Sequence, residues 1–172
     1  MKEFTIDNSP LEIETLYNII DKKLILKLSK ESKKNVNDCR DYLDKKTIDS
    51  QSPLYGINTG FGSLYNVSIK DNDLSKLQHN LILSHSCGVG DKVPLKIVKI
   101  ILLLKIITLS KGNSGIHIDT LNRLIFFYNK SIFPVIFKHG SLGASGDLSP
   151  LAHLSLPLIG EGQVYYNGVL KE

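Results

Sequence analysis

The chain has 172 residues, of which 42% are hydrophobic and 22% charged, a balance that fits one soluble domain with its own core. The net charge of +4 comes mostly from scattered lysines, and the densest basic cluster, residues 22–46, also carries acidic residues. This pattern favours a solvated helical face over a nucleic-acid surface. The most apolar segment, residues 93–109, is interrupted by three lysines, which argues against a membrane span and predicts a core helix.

The hydrophobic periodicity and the helix-capping residues predict a mainly α chain, with helices joined by glycine-rich loops and a few short strands. Helices are expected to begin near Ser9, to cover about Glu31–Lys46, Asp73–Cys87 and Pro94–Lys111, and to begin again after Asp119 and at Ser149. Ser9 and Glu12 form the pattern of a capping box around Pro10, and Ser149-Pro150 is the pattern of another helix start. Strands are expected at Leu24–Leu28, at Phe133–Phe137 and in a hairpin that turns at Asn167-Gly168.

The two cysteines, Cys39 and Cys87, are far apart in the sequence, and neither belongs to a Cys-x-x-Cys pair. Two buried, reduced thiols are therefore expected, rather than a disulfide framework or a metal site. The first ten residues contain no apolar signal region. Together these features predict a cytoplasmic protein with no membrane or nucleic-acid partner.

One loop, GSLGASGDLSP at residues 140–150, has a glycine at every third position from Gly140 to Gly146, and this regular spacing makes it a candidate functional loop. A phosphate loop is excluded because no lysine follows its glycines and Asp147 would repel a phosphate. The dinucleotide fingerprint fails because the spacing is GxxGxxG. A serine nucleophile elbow is disfavoured, since Asp147 occupies the position of its final glycine.

A cyclisation fits the loop better. If the backbone nitrogen of Gly146 attacks the carbonyl carbon of Ala144, a five-membered ring closes, and loss of two waters, one of them from Ser145, yields 4-methylideneimidazole-5-one. Glycine tolerates the tight backbone conformation that this attack requires. The helix that starts at Ser149 would place a positive helix end near the ring. A plain glycine turn that caps a helix is the alternative that these residues leave open.

Two longer strings carry a resemblance to a known family. They are YGINTGFG, residues 55–62, and GSLGASGDLSPLAHLSLPLIGEG, residues 140–162, with LILSHSCGVG and LSKGNSG between them. Together they resemble the signatures of the aromatic amino acid ammonia-lyase family, and the similarity extends over about residues 51–168. The resemblance implies that the mainly α chain has the fold of the N-terminal part of an ammonia-lyase.

Within this family, Ser84-His85 resembles the members that act on histidine. The resemblance implies a carbon–nitrogen lyase that removes ammonia from L-histidine without oxidation and releases trans-urocanate, the first step of histidine degradation. Ala144, Ser145 and Gly146 would form the methylidene-imidazolone autocatalytically, with no external cofactor, and its methylidene would capture the substrate amine. Tyr55 matches the family's loop tyrosine, an acid/base near the β-proton, and His85 matches the residue that meets the substrate imidazole.

Other interpretations stay open at this point. Taken without the longer strings, Tyr55 is an ordinary loop aromatic. His85 is then a core histidine on an apolar helix face that it shares with Leu74, Leu77 and Leu81. The family alternatives are a phenylalanine or tyrosine ammonia-lyase, or an aminomutase that uses the same electrophile. A non-catalytic fragment that packs with partners is the third alternative.

The resemblance also carries an expectation about assembly. Family members are much longer, and their active sites are assembled from several subunits of a homotetramer. Residues 1–172 are therefore expected to be the N-terminal domain that bears the prosthetic group, with the central helical bundle absent from this chain. By itself this chain is expected to be inactive.

Overall fold

The computed structural model describes residues 2–49, 53–60, 62, 65–69, 71–143 and 145–172. Across these residues the chain is mainly α-helical, as predicted, with short strands between the helices. The helices are α1 (Ile13–Asp21), α2 (Lys30–Asp49), α3 (Asp71–His85), α4 (Leu95–Ser110), α5 (Ile118–Asn129) and α6 (Leu148–Ser155). The strands are β1 (Glu3–Ile6), β2 (Ile25–Leu28), β3 (Val89–Lys92), β4 (Ile132–Pro134), β5 (Phe137–His139), β6 (Val164–Tyr166) and β7 (Val169–Lys171).

Helices α4 and α5 form the centre of the core. Helix α4 is apolar on nearly all sides, and although Ile97 and Leu104 are exposed, its other face packs in the core. It buries Val98, Leu102, Leu103 and Ile106 almost completely. On α5 the predicted inward residues are all buried, and they are Leu121, Leu124, Ile125 and Tyr128. No described helix is both long enough and apolar enough to cross a membrane.

The N-terminal segment contains a parallel pair of strands, of which the sequence predicted only the second. Strand β1 pairs with β2, the strand predicted at Leu24–Leu28, and α1 makes the connection between them. The side-chain amide of Asn129, at the end of α5, bonds both backbone groups of Leu26: its Oδ1 accepts the N–H at 2.8 Å, and its Nδ2 donates to the carbonyl at 3.0 Å. The strand pair is thereby attached to the helical core.

The predicted start of the first helix at Ser9 is wrong. Helix α1 begins at Ile13, with Glu12 as its N-cap and no side-chain cap bond. The backbone N–H of Ser9 donates to Oδ1 of Asp7 at 2.9 Å, which holds this segment in a turn of its own before the helix begins. For α2, Ser29 is the residue that caps the helix, because its Oγ accepts the backbone N–H of Ser32 at 3.0 Å.

The strand predicted at Phe133–Phe137 is two strands in different sheets. Strand β4 pairs with β6, whereas β5 pairs with β3. The chain changes sheet at Val135 and Ile136, where the Val135 N–H donates to the Gln163 carbonyl and the Ile136 carbonyl accepts from Val93. The predicted hairpin is confirmed: β6 and β7 pair antiparallel, and both turn residues, Asn167 and Gly168, have positive φ.

Candidate active site

The loop at residues 140–147 and the C-terminal end of α3 face each other across a cavity of about 190 Å³. The loop and the first turn of α6 form one wall, and residues of the α3 end form the other. The lining residues are Ser84, His85, Cys87, Gly140, Ser141, Leu142, Gly143, Ser145, Gly146, Leu148 and Ser149. The structure thus brings His85, Ser145 and Gly146, three residues singled out in the sequence, to one cavity.

His85 is the last residue of α3, and its ring is oriented by its own helix. The Nδ1 atom lies 2.9 Å from the carbonyl oxygen of Leu81 and 3.1 Å from Oγ of Ser84, whose hydroxyl donates to the same carbonyl. Because a carbonyl oxygen only accepts, Nδ1 of the neutral ring carries the proton, and Nε2 is an acceptor. His85 therefore presents to a ligand a nitrogen that can accept an N–H.

Ser145 and Gly146 lie in the exposed middle of the loop. The hydroxyl of Ser145 donates to Oδ1 of Asp147 at 2.5 Å, a contact that the sequence pattern did not indicate. Gly146 has a φ of +72°, a left-handed conformation that favours glycine, and no heavy atom lies within 4 Å of where a Cβ would stand. Ala144, the third residue of the predicted ring, lies outside the described residues. The conformation of Gly146 and the free space around it fit the formation of a ring in this loop.

The start of α6 differs from its prediction by two residues. The helix begins at Leu148 with Asp147 at the N-cap, so Ser149 lies in the first turn instead of capping it. Ser149 is buried, and its backbone N–H donates to Oγ of Ser141 at 3.0 Å. The first turn of α6 is thus bonded back to the loop, and the helix N-terminus, with its partial positive charge, adjoins the cavity.

The expectation of two buried cysteines is wrong, because Cys39 is half-buried and the other cysteine, Cys87, is exposed. It lines the cavity, and its Sγ–H donates to the Gly140 carbonyl at 3.3 Å. Gly140 has a φ of +140°, and a Cβ there would stand 2.7 Å from Cα of Gly88. The backbone after α3 therefore packs directly on the first residue of the loop, in a space that admits no side chain at position 140.

Tyr55 is not among the residues that line this cavity. It lies in a turn over residues 55–58, and its side chain is 64% exposed. The turn is closed by Asn58, whose Oδ1 accepts the backbone N–H of Leu54 at 2.6 Å and whose carbonyl accepts that of Ile69 at 2.9 Å. Within the described part of the chain, no three His, Cys, Asp or Glu side chains are placed to hold a metal ion.

Sequence and structure comparisons place these observations in a family. A sequence model described as aromatic amino acid lyase matches residues 11–172. The chain is 44% identical to the histidine ammonia-lyase of Legionella pneumophila (strain Philadelphia 1) over 97% of its own length and 33% of that relative. It therefore spans about a third of the curated relatives it matches.

Solved structures show the same fold. The crystal structure of histidine ammonia-lyase from Trypanosoma cruzi matches 97% of the chain, with 32% of that protein covered, at a TM-score of 0.84 and 34% identity. The ergothioneine-degrading enzyme ergothionase from Treponema denticola matches 99% of the chain, with 34% of that protein covered, at a TM-score of 0.92 and 29% identity. Because the family model spans nearly the whole chain, the chain belongs to the aromatic amino acid lyase family.

Proposed function

We propose that this chain is the part of a histidine ammonia-lyase that bears its electrophile, in an enzyme that converts L-histidine to trans-urocanate and ammonia. The observation that carries the proposal is the shared cavity: His85 stands on one wall, with Ser145 and Gly146 on the other. The 44% identity to a curated histidine ammonia-lyase supports histidine as the substrate. The ergothionase match shows that the fold also occurs in an enzyme with another substrate, so the fold by itself does not select histidine.

The electrophile would be a 4-methylideneimidazole-5-one made from Ala144, Ser145 and Gly146. When formed, such a group supplies an electrophilic carbon that captures an amine and makes it a leaving group. Gly146 contributes its backbone nitrogen and the left-handed conformation, and Ser145 contributes the hydroxyl that is lost. Asp147, whose carboxylate accepts the hydrogen bond of that hydroxyl, would carry the proton lost from Cα of Ser145 to the oxygen as it leaves as water.

His85 would bind the imidazole of the substrate. Its Nδ1–H donates within α3, so its Nε2 can accept the N–H of a neutral imidazole. Tyr55 is proposed as the acid/base that acts near the β-proton. Residues 1–172 are proposed to act as one domain of a larger homotetramer and to give no measurable turnover on their own.

The test is intact-mass measurement of the protein at its full natural length, together with an assay on L-histidine, L-phenylalanine and L-tyrosine. We expect a deficit of two waters in the peptide that contains residues 144–146, its loss in Ser145→Ala, and urocanate as the product. Ser155→Ala is the matched control, since it removes a hydroxyl on α6 that bonds within its own helix and does not line the cavity, and it should keep the deficit. An unmodified mass in active protein would falsify the proposed electrophile.

Product identity decides the substrate separately. Cinnamate or coumarate in place of urocanate would make the protein a phenylalanine or tyrosine ammonia-lyase. A β-amino acid as the product would make it an aminomutase. Either result would leave the electrophile intact and overturn the choice of histidine.

A further inference from the structure

His153 lies behind the cavity, on α6, and has no part in the site described so far. Its side chain is 7% exposed, and it is not among the residues that line the cavity. Its Nε2 accepts the backbone N–H of Gly88 at 2.9 Å, a contact between residues 65 positions apart in the sequence. The ring also meets Phe137 edge-on, with centroids 5.2 Å apart at 67°.

The contact between His153 and Gly88 leaves no room for a side chain. A Cβ on Gly88 would stand 2.7 Å from Nε2 and 2.9 Å from Cδ2 of His153, and 3.1 Å from Cβ of Phe137. On its other side, the backbone of Gly88 meets Gly140, where an added Cβ would be 2.7 Å from the Gly88 Cα. The imidazole ring, the Gly88 backbone and the Gly140 backbone are therefore in successive direct contact.

This series of contacts joins the two walls of the cavity. Gly88 follows His85 by three residues at the end of α3, and Gly140 is the first residue of the loop that carries Ser145. We propose that His153 is a positioning residue. By accepting the Gly88 N–H, it holds the end of α3 in place and so fixes the distance between His85 and Ser145 across the cavity. The effect of this contact on catalysis rests on the proposed function, whereas the contact between His153 and Gly88 does not depend on it.

The chemistry of the contact explains why this position needs an acceptor of a particular length. The Gly88 N–H is partly buried, and leaving it without an acceptor is costly, so an apolar residue of similar size at position 153 would push Gly88 away from α6. The amide oxygen of glutamine reaches about as far from the backbone as Nε2 of histidine and can accept the same N–H. Asparagine has the same amide, but one methylene less places its oxygen short of Gly88.

The experiment compares His153→Gln with His153→Asn in the protein at its full natural length. We would measure site-resolved hydrogen–deuterium exchange at Gly88, the two-water deficit, and kcat and KM for L-histidine. Val98→Ala, a core change on α4, serves as the control for a simple loss of stability. In the asparagine variant we expect Gly88 to exchange about tenfold faster, as for the loss of one hydrogen bond, and KM to rise by a similar factor. The glutamine variant should stay within about threefold of wild type on both measures.

Each outcome decides a separate point. If the glutamine and asparagine variants exchange alike at Gly88, His153 does not hold this amide, and the proposal is wrong. If His153→Asn exchanges faster at Gly88 but its KM is unchanged, or if Val98→Ala shows the same rise in KM, the contact only stabilises the fold and the positioning role is wrong. A wild-type protein with no two-water deficit and no turnover would overturn the proposed function, while the comparison at Gly88 would still decide whether His153 positions the end of α3.

Discussion

The hydroxyl of Ser145 donates a hydrogen bond to the carboxylate of Asp147, two residues further along the loop. Loss of water from Ser145 requires a proton on the departing oxygen and removal of the proton from Cα. Asp147 accepts this bond as a carboxylate, so it would take up the proton removed from Cα and deliver it to the departing oxygen that it contacts. The contact would therefore connect Asp147 with the formation of the proposed electrophile, a step that comes before turnover.

We predict that Asp147→Asn slows the formation of the two-water deficit by about 10²-fold, the lower end of what a positioned acid or base contributes. The amide still reaches the hydroxyl but cannot exchange a proton with it. The measurement is the modified fraction against time after synthesis, by intact mass. Asp119→Asn, an exposed change in the first turn of α5, is the control and should leave the rate unchanged. Equal rates in all three proteins would remove Asp147 from the maturation step.

We predict that His85→Leu lowers kcat/KM for L-histidine by about 10- to 100-fold, because the substrate N–H loses its acceptor, which costs about 1–3 kcal/mol. The loss should be smaller for L-phenylalanine, whose ring has no N–H to donate to Nε2. Ser84→Ala, which removes only the hydroxyl beside the ring, should cost less than His85→Leu on L-histidine. An equal fall in kcat/KM for both substrates in His85→Leu would show that His85 does not recognise the imidazole.

We predict that a thiol-alkylating reagent modifies Cys87 before Cys39, since the thiol of Cys87 is the more exposed of the two. Because Cys87 lines the cavity, a bulky adduct there should block substrate binding. Cys87→Ser should keep activity and resist inactivation by the same reagent. Peptide mass mapping identifies the modified residue, and faster labelling of Cys39 would contradict the described exposure.

Burial lowers the pKa of His153 from its ordinary value of 6.5. The unfolded chain then takes up a proton at a pH where the folded chain stays neutral. The free energy of unfolding should therefore be constant above about pH 6.5, fall as the pH drops below it, and level off beneath the lowered pKa. Denaturant titrations from pH 8 to pH 5 should show this slope in wild type and a smaller one in His153→Gln; identical slopes would contradict the prediction.

The carboxylates act in a separate pH range. Hydrogen bonds from Ser9 lower the pKa of Asp7, and those from Arg40 lower the pKa of Asp44, below the ordinary 3.8. Their contribution is present above that value and is lost as the pH falls through the lowered values. Asp7 and Asp44 therefore do not contribute to the slope of the free energy of unfolding between pH 8 and pH 5.

We predict that Asn129→Ala lowers the free energy of unfolding by about 2–3 kcal/mol, from two hydrogen bonds at roughly 1 kcal/mol each and the desolvation of the groups left unpaired. Its amide bonds both backbone groups of Leu26, as a neighbouring strand would. Asn129→Asp keeps the acceptor and loses the donor, so it should be intermediate at neutral pH. Denaturant unfolding measures all three proteins, and a loss below about 0.5 kcal/mol in Asn129→Ala would show that Leu26 finds other partners.

The helices could be predicted because their signals are local. The apolar residues of α5 recur at helical spacing, and all four predicted positions are buried. The predicted helix start at Ser9 is wrong because the carboxylate of Asp7 accepts the Ser9 N–H and holds this segment in a turn, so the helix begins only at Ile13. The predicted start of α6 at Ser149 was two residues too late. The Ser149 N–H bonds to Oγ of Ser141, a partner that no spacing rule identifies.

The contacts of the cavity are not local, and this limits what the sequence predicts. Ser145 was singled out by the chemistry of its loop and His85 by the family resemblance, which implies that both meet the substrate, but the local pattern gives no distance between them. The bond from Gly88 to His153 joins residues 65 positions apart. Strand β1 was missed for a similar reason, because its pairing with β2 depends on where α1 returns the chain.

Helix α3 contributes one wall of the cavity, yet no described side chain on it is fully buried. Helix α4, by contrast, buries seven residues in the core. Since burial sets the cost of local opening, α3 can separate from α6 while α4 and α5 stay packed. The geometry between His85 and Ser145 thus depends on the weaker of these attachments, which includes the bond from Gly88 to His153.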